Sequence, residues 1–486
     1  MAAPYKTPGV YVEEIAKFPP SIAPVETAIP AFIGYTEKAK EQVNDDLHLK
    51  PKRISSMVEY EKYFGGADKE TDITVTITTD EDGSESATVR INSPSKHIMY
   101  YALQLFFANG GGPCYIVSVG DYSSSTVDKN NLTSGLNALE KEDEPTLIIF
   151  PEAQSLSISD FKTLHKDALG QCHKLKDRFV IIDMKGTVAD NFRTNGVGTD
   201  YLKYAAVYYP NIETTLDYIY NETDVNVKIS DTTGGTGGTG ATGGSGATGG
   251  TGGSGATGGT GGSGNTEDRK LSDFKDNDNV RYEQAKAAIR NMPCTLPPSA
   301  AIAGIYAAVD NSRGVWKAPA NISLNAVIRP TLQISHEEQK ELNVDSKAGK
   351  SINAIRSFTG KGTLVWGART LAGNDNEWRY VNVRRFFNFA EESIKKATEQ
   401  FVFEPNDANT WVRIQAMIEN FLTTQWRQGA LQGVKPEHAF YVAVGLGKTM
   451  TALDIQEGRM IIEIGMAVVR PAEFIVLRFS HKMAES

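Results

Sequence analysis

A phosphate-binding loop is the first chemistry this sequence suggests. Gly445-Leu446-Gly447-Lys448-Thr449 has the glycine, lysine and hydroxyl of such a loop, in which backbone amides cradle a phosphate and the lysine neutralises it. The motif also needs a glycine five positions before Gly447. Val442 stands there, so the segment reads as a turn carrying a solvated lysine. Gly110-Gly111-Gly112 lacks a spaced third glycine in the same way, with Tyr115 in its place. Among seven histidines the nearest pair, His165 and His173, is too far apart for two zinc ligands on one helix face, and Cys172 has no second cysteine nearby. Glu140-Lys141-Glu142-Asp143-Glu144 lies among loop formers and reads as solvated surface rather than a catalytic carboxylate pair. The residues therefore suggest no catalytic, metal or cofactor site, and the expectation is a protein that is not an enzyme.

The elements around these residues are those of a folded, multidomain chain. At 486 residues, two to four domains are expected, and 40% hydrophobic with 22% charged residues is an ordinary globular composition. A net charge of −9 disfavours a nucleic-acid partner, since phosphate binding needs dense Lys and Arg. Cys114, Cys172 and Cys294 are odd in number and widely spaced, which fits reduced core thiols better than a disulfide framework. The first residues lack a basic flank with an apolar run, and no later stretch is long and apolar enough to span a bilayer, so neither secretion nor membrane insertion is expected.

Along the chain, Val10 to Ile15 reads as a strand isolated by Pro8-Gly9 before it and Pro19-Pro20 after it. A lone strand cannot satisfy its own backbone, so it must join a sheet elsewhere in this subunit or in a neighbour. Residues 72–91 read as an excursion hairpin, followed by a helix capped by Ser93-Pro94 and stopped at Gly110. Apolar strands at Leu147 to Phe150, Phe179 to Ile182 and Tyr204 to Tyr209, with a helix near Asp160 to Cys172, predict a largely parallel α/β sheet. Residues 233–264 hold only Gly, Thr, Ser and Ala, with glycine at every third position from Gly234. Lacking proline and large apolar groups, they predict a solvated loop. Two amphipathic helices are expected, from Arg384 to Phe403 and then through Trp411, Ile414, Ile418, Phe421 and Gln425. Strands at Phe440 to Val444, Arg459 to Val469 and Phe474 to Ser480 follow, the last two separated by Pro471.

Several of these segments carry a family resemblance. Thr7-Pro8-Gly9-Val10-Tyr11-Val12-Glu13-Glu14, Tyr63-Phe64-Gly65-Gly66, Pro297-Pro298-Ser299-Ala300, Asp310-Asn311-Ser312-Arg313-Gly314, Trp366-Gly367-Ala368-Arg369-Thr370-Leu371, Trp378-Arg379-Tyr380-Val381-Asn382-Val383-Arg384-Arg385 and Phe403-Glu404-Pro405-Asn406 occur in an order that resembles the contractile tail sheath proteins of phages, pyocins and related injection systems. The resemblance implies an α/β and α+β multidomain chain. An arm at 1–24 would lead into an α/β region at 25–360 with a subtilisin-like centre, then a C-terminal sheath domain at 361–470 and a second arm at 471–486. It implies a subunit of stacked hexameric rings around an inner tube, assembled in the bacterial cytoplasm into a particle that is released or cell-anchored, with baseplate and terminal cap proteins as further partners. The rival, an active subtilisin-like hydrolase, finds no Asp, His and Ser motifs here. Inter-subunit pairing would fall on Val10, Tyr11, Val12 and Ile15 and on Phe474, Ile475, Val476, Leu477 and Phe479. Contact with the inner tube would fall on Arg384, Arg385, Lys395, Lys396 and Arg413.

Overall fold

A computed structural model describes residues 22–80, 82–231 and 268–478. Its central sheet has nine described strands, in the order Ile322–Ser323, Gly362–Val365, Asn353–Phe358, Ala205–Tyr209, Phe179–Asp183, Leu147–Ile149, Pro30–Gly34, Cys114–Ser118 and Lys52–Ile54. The six strands from Asn353–Phe358 to Cys114–Ser118 run parallel, and antiparallel strands close both ends. Every residue of Pro30–Gly34, Cys114–Ser118 and Phe179–Asp183 is buried, because helices cover both faces of a parallel sheet and leave no polar side.

Alternate strand residues divide between two cores. Phe32, Ile116, Ile149 and Ile181 face the helices Met99–Ala108 and Ser299–Arg313, whereas Ile33, Val117, Ile148 and Val180 face Lys129–Leu139 and Ile158–Leu175. The Ser299–Arg313 helix is apolar on nearly all sides and buried to match. Its close approach to Met99–Ala108 depends on Gly304, where a Cβ would stand 2.5 Å from the Phe106 carbonyl oxygen.

The 72–91 hairpin forms as expected, with Ile73 opposite Ile91 and Thr79 opposite Glu85. It is not a separate excursion, however. Ile73–Thr79 also pairs in parallel with Asn226–Asp231, which pairs with Asp268–Lys270, and the apolar face formed by Ile73, Val75, Ile77 and Val227 packs on Phe274, Tyr282, Ala285 and Ile289. Two insertions about 150 residues apart in sequence thus share one small core. The glycine-rich segment 233–264 lies outside the described residues, between the antiparallel neighbours Asn226–Asp231 and Asp268–Lys270.

Other expectations need correction. The helix after Ser93-Pro94 begins only at Met99, because the Ser95 amide donates to Glu70 and its hydroxyl donates to Asp68 while accepting from the His97 amide, which holds the intervening residues outside the helix. The boundary at 361 would cut the hairpin Asn353–Phe358/Gly362–Val365 and detach a strand from the central sheet. The chain leaves that sheet beyond Leu371, whose amide still donates to Ala205. The Arg459 to Val469 stretch forms a strand only over Ile462–Met466, since Arg459 folds back on Asp454 and Val469 donates to Ala430.

Candidate assembly interface

The C-terminal module is built on the two expected helices, Val381–Thr398 and Ala408–Arg427, the second capped by Asp407, which accepts from the Thr410 amide. Phe386, Ala390 and Ile394 meet Ile414, Ile418 and Phe421 in one core, with the Phe389 and Phe421 rings 5.9 Å apart. A two-stranded sheet, Phe440–Val444 with Ile462–Met466, packs on this pair. Among the described residues each strand pairs only with the other, so each leaves one edge of amides and carbonyls without a strand partner.

The C-terminal arm leaves the body beside this module. Glu473 is gripped by the buried Arg369, with Nε 2.9 Å from Oε1 and Nη2 2.7 Å from Oε2, and also accepts from Asn343 Nδ2 at 2.7 Å and the Tyr380 hydroxyl at 3.0 Å. Burial alone would raise the Glu473 pKa, but the bonds from Arg369 and Asn343 outweigh it and hold the carboxyl below its ordinary value. Past this point Phe474, Ile475, Val476 and Leu477 are 69–78% exposed and belong to no strand among the described residues. Of the expected strand at 474–480, residues 474–478 are described and form no strand with any described segment. Phe479 lies outside the described residues, as do Val10, Tyr11, Val12 and Ile15.

The N-terminal segment is first described at Ile22, which is buried in the C-terminal core. From there Val25 donates its amide to Ser393 Oγ at 3.2 Å, and Thr27 meets Asp310 and Arg385 before the chain enters the central sheet at Pro30.

Two of the five cations read as tube-facing are internal. Arg384 and Arg385 are 2% and 3% exposed, whereas tube contact requires an open surface. Arg384 lies over the Trp378 ring, 4.4 Å from its centroid, and donates to Asn388 and Glu391; Arg385 pairs with Asp310. The first turns of the Val381–Thr398 helix are buried on every side, so these charges belong to the interior rather than to a polar face. Lys395 and Lys396 reach Glu392 at 3.1 Å and Asp143 at 2.7 Å, and Arg413 stands 4.0 Å from Glu404; all three keep solvent-exposed side chains.

The residues that first suggested chemistry have structural partners. Gly445 and Gly447 adopt φ of 141° and 74°, and the amides of Lys448, Thr449 and Met450 all donate to the Gly445 carbonyl, so these amides close a turn rather than cradle a phosphate. His165 Nδ1 lies 2.8 Å from the Phe161 carbonyl, and burial pushes its pKa down to about 4; His173 stacks on Tyr201. Burial raises all three thiols, Cys294 to about 12. Within the acidic run, Glu140 pairs with Lys174, Asp143 with Lys396 and Glu144 with Arg53. Two buried acids escaped the sequence reading. Glu152 accepts from the Tyr35 amide, and burial drives its pKa up to about 8; Asp183 accepts from the Ser299 amide at 2.7 Å and is raised to about 7 by the same cause. Asp183 ends an apolar strand and Glu152 lies just beyond one, each with a partner more than a hundred positions away, so no local signal marks either.

Comparison with known proteins agrees with this architecture. Residues 373–482 match the phage tail sheath C-terminal domain. The helical sheath of the anti-feeding prophage in its contracted state is 31% identical, covering 98% of this chain and 100% of that one, with a TM-score of 0.62. A chain in the same system's baseplate is also 31% identical, over 99% of this chain and 100% of that one, with a TM-score of 0.62. The tail sheath protein of Vibrio phage KVP40 is 27% identical over 148 residues, 30% of this chain and 21% of the phage protein, so the match spans about a fifth of that relative. Likeness to a contractile sheath over essentially the whole length of both chains places this chain in the contractile tail sheath family.

Proposed function

We propose that the chain is a structural sheath subunit that polymerises into a helical tube of stacked hexameric rings around an inner tube and shortens to drive that tube through a target envelope. The observation that carries this reading is the full-length likeness to a contracted sheath, joined to a surface built for self-association: an exposed apolar arm, Phe474 to Leu477, in a subunit that also presents open sheet edges. A strand added to such an edge satisfies backbone groups on both sides. The Val10 to Ile15 and Phe474 to Phe479 segments are the strands that would cross to neighbouring copies. The central domain, six parallel strands between helical layers, is the scaffold, and a subtilisin-like ancestry is part of the proposal.

The energy of shortening would come from interfaces better matched in the short state, so the long state is held kinetically and needs no nucleotide. Baseplate, terminal cap and inner tube proteins are the expected partners. Lys395, Lys396 and Arg413 remain as tube-facing candidates. Among the described residues no helix is long and apolar enough to cross a membrane. Purified full-length chain should form striated tubes that shorten without ATP under mild destabilisation. An ATP requirement would overturn the energetic part of the proposal. Reversing the charges of Lys395, Lys396 and Arg413 should abolish co-assembly with the tube protein while tubeless polymers still form; unchanged co-assembly would remove these residues from the interface.

A further inference from the structure

Both arm roots are held by a buried arginine at the seam between the central and C-terminal domains. At the N-terminal root, Arg385 Nη1 donates to Asp310 Oδ1 at 3.0 Å and its Nη2 to the Thr27 carbonyl at 2.8 Å, while the Thr27 hydroxyl donates to Asp310 Oδ2 at 2.6 Å. Asp310 comes from the central Ser299–Arg313 helix and Arg385 from the C-terminal Val381–Thr398 helix, so the arm root is the third member of a joint between the two domains. At the C-terminal root, Glu473 binds Arg369 and Asn343, next to the central sheet, and Tyr380, at the start of the C-terminal module. The two roots lie at opposite ends of the sequence and use different residues, yet share one plan.

We propose that the Glu473 clamp is the point at which the C-terminal arm passes tension into the subunit body and fixes its direction of departure, and that the Thr27 joint does so for the N-terminal arm together with Ile22, buried in the C-terminal core just before it. A strand that joins a neighbour fixes only its own tip. Without a fixed root, a pull on the arm would peel the following residues from their own subunit one bond at a time. With several charge-assisted bonds on the Glu473 carboxylate, and with the Thr27 hydroxyl on Asp310 and its carbonyl on Arg385, the pull instead loads the bonds of each root together, at the seam between domains. A fixed root also removes much of the arm's orientational freedom before it meets a neighbour, which raises its effective concentration at the open edge. Buried ion pairs contribute little net stability compared with apolar packing, so a positional role accounts for them better than a stabilising one. Arm strands that cross between copies belong to the proposed function above, on which this inference rests; the clamp adds what holds the near end.

The test compares full-length chain with Glu473→Ala, Tyr380→Phe and Thr27→Val, using deletion of residues 474–486 as a control. Glu473→Ala strands the buried Arg369 charge and should lower subunit stability, increase amide exchange at residues 471–473, and raise the critical concentration for polymerisation about tenfold or more. Tyr380→Phe and Thr27→Val each remove one hydroxyl from a clamp and should give smaller shifts in the same direction, so the inference stays testable if Glu473→Ala misfolds. If the control deletion raises the critical concentration while all three substitutions polymerise at the unaltered concentration, the clamp inference fails and the arm reading stands. If the deletion itself leaves polymerisation unchanged, the arm reading fails and takes the clamp with it.

Discussion

Deleting residues 474–486 separates folding from assembly. Phe474 to Leu477 are 69–78% exposed and make no strand pairs among the described residues, so their loss should change subunit stability by less than about 0.5 kcal/mol. In an assembled lattice the same segment would form about four backbone hydrogen bonds with a neighbour, at about 0.5–1.5 kcal/mol each, or about 2–6 kcal/mol. Side chains alternate across a strand, so two of the four apolar groups would be buried, adding about 3–6 kcal/mol. Ordering four residues costs about 4–8 kcal/mol. Taken at mid-range, these terms sum to roughly 2–3 kcal/mol per arm, equivalent to about a thirtyfold to 150-fold change in the association constant. Thermal melting of the dilute subunit and light scattering against concentration measure the two quantities separately. The expected result is an unchanged melting temperature with polymerisation delayed by at least tenfold in concentration. A truncated chain that polymerises normally, or one that unfolds, would refute the reasoning.

Other consequences follow from the core. Glu152 has a folded pKa raised to about 8, so the folded state holds its proton longer than the unfolded chain does; the stability it supports is complete below about 4.5 and is lost as pH rises through about 8. Glu152→Gln should therefore raise the melting temperature more at pH 9 than at pH 5, and an equal shift at both would exclude this account. Gly304→Ala should destabilise the subunit by about 1–3 kcal/mol in chemical denaturation, because the new methyl meets the Phe106 carbonyl 2.5 Å away. A variant as stable as the parent would mean that the two helices can separate freely.

Local pattern predicted the elements well where a segment's partner lies beside it or where a continuous apolar run marks a strand covered on both faces. Phe179–Asp183, the helix pair carrying Phe386 and Ile418, and the Ile73–Ile91 hairpin are of this kind. Pattern failed where the partner is distant. Nothing in Ile73–Thr79 announces Asn226–Asp231 as its neighbour, and nothing local tells Arg385 apart from a surface cation, since Asp310 is 75 positions away. Glu473 likewise depends on Arg369, 104 positions earlier. Phe474 to Ser480 illustrates another limit: period and composition report that a segment suits a sheet, not that the sheet belongs to the same chain. In the proposed assembly, the exposed row of Phe474 to Leu477 is a strand whose partner is a neighbouring copy.

The central claim is that subunits are joined by strands donated between copies, and an image reconstruction of tubes assembled from the purified full-length chain tests it most directly. The account predicts that Val10 to Ile15 and Phe474 to Phe479 are resolved as strands on the open edges of the Phe440–Val444/Ile462–Met466 sheet of neighbouring copies. Tubes in which both segments fold back on their own subunit, or a chain that stays monomeric at every concentration, would contradict it.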